Sequence, residues 1–231
     1  MDGILLIDKP AGLSSHDVVA AVKRSLGGPR TGHAGTLDPF ATGLLVILIG
    51  RATKAQSTIM ALPKRYEVLA RLGATSSTGD TEGEITVTGR LPPAEPQLPS
   101  GEVRQRPPAH SAVKVAGERA YRRARRGESF VMPERIVTVH SFRQLWRSEG
   151  EGQEPPKAAF AIECGSGTYV RSLIADLGDA YCLELRRTAI GPFLAADAVA
   201  LPPRGEPWEA PPVIGLERAL ELARGRLQST I

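Results

Sequence analysis

The run Gly32-His33-Ala34-Gly35-Thr36-Leu37-Asp38-Pro39-Phe40-Ala41-Thr42-Gly43 sets one carboxylate, Asp38, between a glycine-rich turn and an apolar segment, with His33 five residues before it. Three glycines among twelve residues allow backbone conformations that other residues resist. Pro39 fixes its own φ and pushes Asp38 toward an extended geometry. Such a loop suits the aiming of a polar tip. An ionised carboxylate so placed has the chemistry of a nucleophile or a proton acceptor. An isolated Asp-Pro is a common turn former, so the argument rests on the whole string. No second carboxylate stands out as its partner, which argues against ordinary glycoside hydrolysis.

A second group of residues could hold an anion. Five arginines lie between Arg119 and Arg126, interrupted by Ala120, Tyr121 and Ala124. Their spacing fits a solvated helix face, and it fits phosphate binding, because a guanidinium fork matches phosphate oxygens. Arg171 falls in the first turn of a predicted helix, where a cation opposes the helix dipole and calls for an anionic partner.

The elements that must position these groups follow from periodicity. Gly3 to Ile7 reads as a strand running into Asp8-Lys9-Pro10. A helix follows, capped by Ser14 or Ser15, striped by Val18, Val22 and Leu26, and stopped at Gly27-Gly28-Pro29. Leu44 to Ile49 is a buried strand directly after the Asp38 loop, and Arg51 to Leu62 is a helix ended by Pro63. Lys64 to Leu72 alternates as a strand with Tyr66 on its apolar face. Thr75 to Gly83 has loop composition, and Glu84 to Thr88 is a strand. Leu91 to Pro108 carries six prolines and reads as an extended connector. Glu118 to Gly127 is helical by propensity. Ile136 to Trp146 and Lys157 to Cys164 are strands around a loop, and Gly165-Ser166-Gly167-Thr168 opens a helix lasting to Gly178. Leu183 to Ile190 is a late strand, and Pro202 to Pro212 is a linker before a C-terminal helix from Ile214 to Leu227. Strands and helices without strict alternation predict an α+β fold.

With 231 residues, 42% of them apolar, the chain can bury a sizeable core. It has no apolar stretch of the roughly 20 residues that cross a bilayer, and no basic, apolar leader, so a cytoplasmic location without membrane contact is expected. Cys164 and Cys182 lack metal-site spacing, which predicts two buried thiols and no metal. A net charge of +4 is compatible with a nucleic-acid partner and does not require one.

Taken together, the motifs resemble the TruB-type pseudouridine synthases. The Gly32 to Gly43 string is similar to that family's signature. Asp8-Lys9-Pro10 with Gly12 and Ser14-Ser15 resembles its opening motif, Lys64-Arg65-Tyr66 its tyrosine motif, and Gly167-Thr168-Tyr169-Val170-Arg171 its arginine motif. Pro107-Pro108 through Ser111-Ala112-Val113-Lys114, with Gly117, Tyr121, Ala124, Arg125 and Gly127, resembles the insert that grips the tRNA T arm. Leu185-Arg186-Arg187 resembles the late strand that closes the pocket. The resemblance implies the pseudouridine synthase fold, a long mixed, largely antiparallel sheet flanked by helices. It implies Asp38 as the catalytic aspartate, His33 as the residue filling the space of a flipped base, Tyr66 stacking on that base, and Tyr169, Arg171 and Leu185 lining the pocket. Arg171 is then the expected partner of the Asp38 carboxylate, and Asp80 a structural or peripheral residue. Lys114, Arg119, Arg122, Arg123, Arg125 and Arg126 are the expected contacts to RNA phosphates.

The implied organisation is a catalytic domain over residues 1–201, with the RNA-gripping insert at about 107–135, and a linker with a helix over 202–231. About forty residues follow Phe193, too few for the C-terminal PUA domain usual in the family. The implied reaction converts uridine 55 of tRNA to pseudouridine. It breaks the C1′–N1 bond and rejoins the rotated base through C5, with no change of oxidation state and so no call for a cofactor. A single carboxylate suits three routes: attack at C1′, removal of the C2′ proton, or attack on the base at C6. Base extrusion costs a few kcal/mol, which stacking on Tyr66 and Tyr169 would offset. The expected partner is tRNA, and the protein is expected to work as a monomer without an obligatory protein partner. The alternatives are a tRNA-binding or folding protein without chemistry, and a guide-RNA-dependent enzyme of the dyskerin type.

Overall fold

A computed structural model describes residues 2–111, 113–202, 206, 208 and 211–227. The chain divides into two compact units, Met1–Tyr66 with Leu185–Ile231, and Glu67–Glu184.

In the first unit, β1 (Gly3–Lys9) leads into α1 (Ser15–Ser25). Ser14 is the cap of α1, and a capping box joins it to Asp17. Then come β2 (Thr31–His33) and β3 (Thr42–Ile49), followed by a 3-10 turn at Gly50–Ala55 and α2 (Gln56–Ala61). The expected single helix from Arg51 to Leu62 is thus split into two kinds of turn. β1 and β3 are antiparallel along their whole length, from Gly3 opposite Ile49 to Lys9 opposite Gly43. Side chains alternate across a strand, so this pair feeds two cores. Ile4, Leu6, Leu44, Val46 and Leu48 pack with Ile59 and Leu62 on one side. Leu5, Ile7, Leu45, Ile47 and Ile49 pack against Val18 and Val22 of α1 on the other. Each such fully buried side chain contributes about 1.5–3 kcal/mol, which makes β3 a stiff support for the loop just before it.

β4 (Lys64–Leu72) begins in the first unit and runs into the second. There β5 (Ala74–Ser76) pairs with β6 (Ile85–Val87). β7 (Gly101–Gln105) follows, inside the proline-rich connector, in its one stretch without a proline long enough to pair. The hairpin β8 (Lys114–Val115) and β9 (Glu118–Arg119) precedes α3 (Ala120–Arg125). This corrects the expected helix over Glu118 to Gly127. Ala116 and Gly117 both have positive φ, 51° and 86°, a two-residue hairpin turn that draws Glu118 and Arg119 back onto Val115 and Lys114. β10 (Arg135–Ser148) and β11 (Lys157–Cys164) form a long antiparallel pair, and β7 adds to the other side of β10. α4 (Val170–Ala175) starts at Val170, with Gly165 to Thr168 forming a turn and not the helix's first residues.

β12 (Ala180–Ile190) returns the chain to the first unit, where β13 (Phe193–Leu194), β14 (Val199–Ala200), β15 (Ile214–Gly215) and α5 (Leu216–Leu227) complete it. Strand order is β14-β1-β3-β12 in the first unit and β4-β11-β10-β7 in the second. β1 with β14 and β3 with β12 are parallel, whereas β1 with β15, β1 with β3, β2 with β3, β10 with β11, β10 with β7 and β12 with β13 are antiparallel. The architecture is α+β with mixed, largely antiparallel strands, as the sequence predicts. Of the expected Pro202 to Pro212 linker, residues 203–205, 207, 209 and 210 lie outside the described residues. No helix among the described residues is long and apolar enough to cross a membrane. Cys164 and Cys182 are both buried, as expected.

Candidate active site

Asp38 sits half-buried on a loop fastened at almost every residue around it. Its own carbonyl accepts the Ala41 N–H at 3.2 Å, closing a turn with Pro39 at the position that proline favours. The Pro39 carbonyl accepts the Gly12 N–H at 2.8 Å and the Lys9 ammonium at 3.1 Å. Ser15, at the start of α1, brackets Leu37: its hydroxyl donates to the Leu37 carbonyl at 3.0 Å and accepts the Leu37 N–H at 2.9 Å. Upstream, Arg187 donates to the carbonyls of Gly35 at 3.0 Å, Thr36 at 3.3 Å and Leu44 at 2.8 Å. Lys9, Ser15 and Arg187 are all buried, so these bonds form where water does not compete.

The approach of β12 that delivers Arg187 depends on Gly43. Arg187 stands opposite Gly43 in the parallel β3–β12 pair, and a Cβ at Gly43 would lie 2.3 Å from the Arg187 carbonyl oxygen. Gly43 also has φ of +101°, a region that side chains resist.

His33 ends β2, opposite Ile47 of β3, and its carbonyl accepts a bond from Gln56 at 2.7 Å. Its ring meets that of His16 edge to face, with centroids 5.5 Å apart. Burial lowers its pKa from the usual 6.5 to about 4, with His16 and Arg187 adding repulsion that the Gly35 backbone partly opposes. His33 is therefore a neutral ring at physiological pH. Tyr66, half-buried on β4, and Leu185, buried on β12, belong to the same unit as His33 and Asp38.

The other expected site residues belong to the second unit. Tyr169 caps α4 and is half-buried, with the Arg135 guanidinium 5.7 Å from its ring centroid. The side chain of buried Gln105 clamps its backbone, accepting the Tyr169 N–H at 2.8 Å and donating to its carbonyl at 2.9 Å. Arg171 is 4% exposed, so the cation at the head of α4 does need its own partner. Here the structure supplies Asp80, 3.0 Å away and itself buried, together with the carbonyls of Thr78 at 2.6 Å and His110 at 3.1 Å. Of the two roles expected for Asp80, structural or peripheral, the structure gives the structural one: it is a buried counter-ion of Arg171, and the loop composition around it carries no sign of that pairing.

The basic insert is half engaged with its own acids. Arg126 makes a two-pronged contact with Glu118 and a further one with Glu128. Arg123 pairs with Glu128 at 2.8 Å and lies over the Phe130 ring. Lys114, Arg119, Arg122 and Arg125 are exposed, Arg125 resting 5.7 Å from the Tyr121 ring centroid. Ala112 of the insert motif lies outside the described residues.

Sequence reasoning also missed Arg187. Its signal was available in the alternation of β12, where Leu185 and Arg187 share a face and a buried Leu185 implies a buried Arg187.

Comparisons with known proteins bear on the family and the fold. Residues 23–170 match the TruB family pseudouridylate synthase N-terminal domain. The chain is 42% identical to the tRNA pseudouridine synthase B of Thermobifida fusca over 217 residues, covering 87% of this chain and 73% of the relative. It is 44% identical to that of Gluconacetobacter diazotrophicus, covering 87% and 68%, and 45% identical to that of Leifsonia xyli, covering 83% and 68%. Among solved structures, a chain of a Cbf5-Nop10-Gar1 complex matches with a TM-score of 0.62 and 29% identity, over 86% of this chain and 52% of that one. A chain of an H/ACA RNP bound to a substrate RNA containing 2′-deoxyuridine matches with a TM-score of 0.59 and 26% identity, over 86% and 50%. The chain thus spans about half the length of these structural neighbours. It belongs to the TruB family of pseudouridylate synthases.

Proposed function

We propose that this protein isomerises uridine 55 in the T loop of tRNA to pseudouridine, with Asp38 as the catalytic carboxylate. The observation that carries this reading is the immobilised Asp38 loop in a chain 42–45% identical to three tRNA pseudouridine synthase B proteins. Bonds from Lys9, Ser15 and Arg187 fix the backbone on both sides of Asp38. A fixed carboxylate is what attack or proton removal at a single sugar carbon requires. In the reaction the N1–C1′ bond breaks, a C5–C1′ bond forms, and the C5 proton is given up while N1 gains one. Atoms and electrons balance without a co-reactant.

The remaining roles follow the family motifs. Neutral, half-buried His33 suits the space vacated by an extruded base, because an uncharged ring can replace a base in a stack. Tyr66, Tyr169 and Leu185 supply flat or apolar surface for that base, and Arg171 a fixed guanidinium. Exposed Lys114, Arg122 and Arg125 are the insert cations best placed for phosphates, with exposed Arg119 beside them, and Arg123 and Arg126 must first release Glu118 and Glu128. With this function go a cytoplasmic location and action as a monomer without an obligatory partner, both part of the same proposal.

The structural neighbours from H/ACA complexes favour a second reading, in which a guide RNA and partner proteins are required. Incubation of the purified protein alone with an unmodified tRNA transcript separates the two, with pseudouridine mapped at single-nucleotide resolution. Product at position 55 supports the stand-alone synthase. Tight binding without product supports a tRNA-folding role, and product only with added guide RNA supports the second reading.

A further inference from the structure

Arg187 is a guanidinium with 1% exposure whose hydrogen-bond partners among the described residues are three main-chain carbonyls, those of Leu44, Thr36 and Gly35. Burying a cation against neutral acceptors costs several kcal/mol relative to leaving it in water. An apolar side chain of similar size would fill the same space without that cost. The three carbonyls are not scattered. Gly35 and Thr36 stand three and two residues before Asp38, and Leu44 lies in the buried run of β3, so one rigid fork ties the upstream arm of the loop to the sheet.

Lys9 does the same to the downstream arm through Pro39. The two cations face each other across Gly43: Lys9 is its partner on β1 and Arg187 its partner on β12. Gly35 has φ of +97°, a region that side chains resist, and its carbonyl accepts from Nη2 of Arg187 at 3.0 Å. The field of Arg187 also reaches the site, since it is one of the charges that hold His33 neutral.

We infer that Arg187 is a positioning residue for pseudouridine formation, which sets the Asp38 carboxylate by locking the Gly35–Thr36 backbone to β3 and β12. This rests on Asp38 being the catalytic group. Arg187 reaches its carbonyls from three separate nitrogens, Nε, Nη1 and Nη2, whereas a lysine donates from a single one, so Arg187→Lys keeps the charge and loses the planar fork that makes the lock. A misplacement of about 1 Å at a reacting group costs about 100-fold in rate, with RNA binding elsewhere untouched.

The test measures single-turnover pseudouridine formation at saturating tRNA, tRNA affinity and thermal midpoint for wild type, Arg187→Lys and Arg187→Met. The expected result is a rate loss of about 100-fold in both variants, with affinity within about threefold of wild type and folded protein at the assay temperature. A rate within threefold of wild type in Arg187→Lys overturns the inference. So does a rate and affinity falling together with the folded fraction, or failure of both variants to fold, because Arg187 would then serve stability alone. If wild type itself makes no product, the proposed function fails, and that outcome is distinct from the others.

Discussion

His33 combines a half-buried ring, a second histidine at its edge and a buried guanidinium nearby, and each of these disfavours its protonated form. In the unfolded chain it titrates near 6.5, and in the folded one at about 4. Between these values the unfolded state takes up a proton that the folded state refuses. Stability from this site is therefore complete above about pH 6.5 and is lost progressively as the pH falls to about 4. Replacing His33 with Gln should flatten the dependence of melting temperature on pH across that window, with wild type losing more on acidification. Parallel curves for the two proteins would refute this account of His33. At this scale the sequence was informative for Asp38 and His33, whose types and spacing are chemically unusual. It was silent on Asp80, because aspartate is a surface residue by default and only its neighbours in space reveal burial, whereas the burial of Arg187 shows in the sequence only through its alternation with Leu185.

Among the elements, the pairing of β3 with β12 matters most, because it brings Arg187 to the Asp38 loop. Leu44 to Ile49 was legible as a buried strand from its continuous apolar run, and Lys64 to Leu72 and Lys157 to Cys164 emerged with the predicted bounds. The hairpin of β8 and β9 was not legible, since helix propensity at Glu118 and Arg119 conceals a turn that Ala116 adopts against its own preference. Nor did sequence reveal why Gly43 must be glycine. The Cβ of Gly43→Ala would fall 2.3 Å from the Arg187 carbonyl, a main-chain atom that moves only if the strands separate. The positive φ adds strain of about 1 kcal/mol or more. The variant should lose at least about 2 kcal/mol in chemical denaturation, together with most activity. A loss below about 0.5 kcal/mol would show that β12 does not press on Gly43 as described.

For the whole molecule, the sequence predicts a linker and a helix over residues 202–231. In the structure their described part belongs to the first unit. β15 pairs with β1, and α5 buries Ala219 and Ala223 in the core beneath β1 and β3. Distant pairing of this kind leaves no local pattern, which is why only the helix could be foreseen. Ala219→Glu would place a charge in that core without a partner, and a loss of about 3 kcal/mol or more is expected from denaturant unfolding. An unchanged midpoint would show that α5 is dispensable to the first unit. The larger claim is that this fold exists to hold one carboxylate at a nucleoside in tRNA. Its most direct test is single-turnover pseudouridine formation by Asp38→Asn, measured beside tRNA affinity. The account predicts no detectable product with affinity within about threefold of wild type, and pseudouridine formed by the variant at the wild-type rate would contradict it.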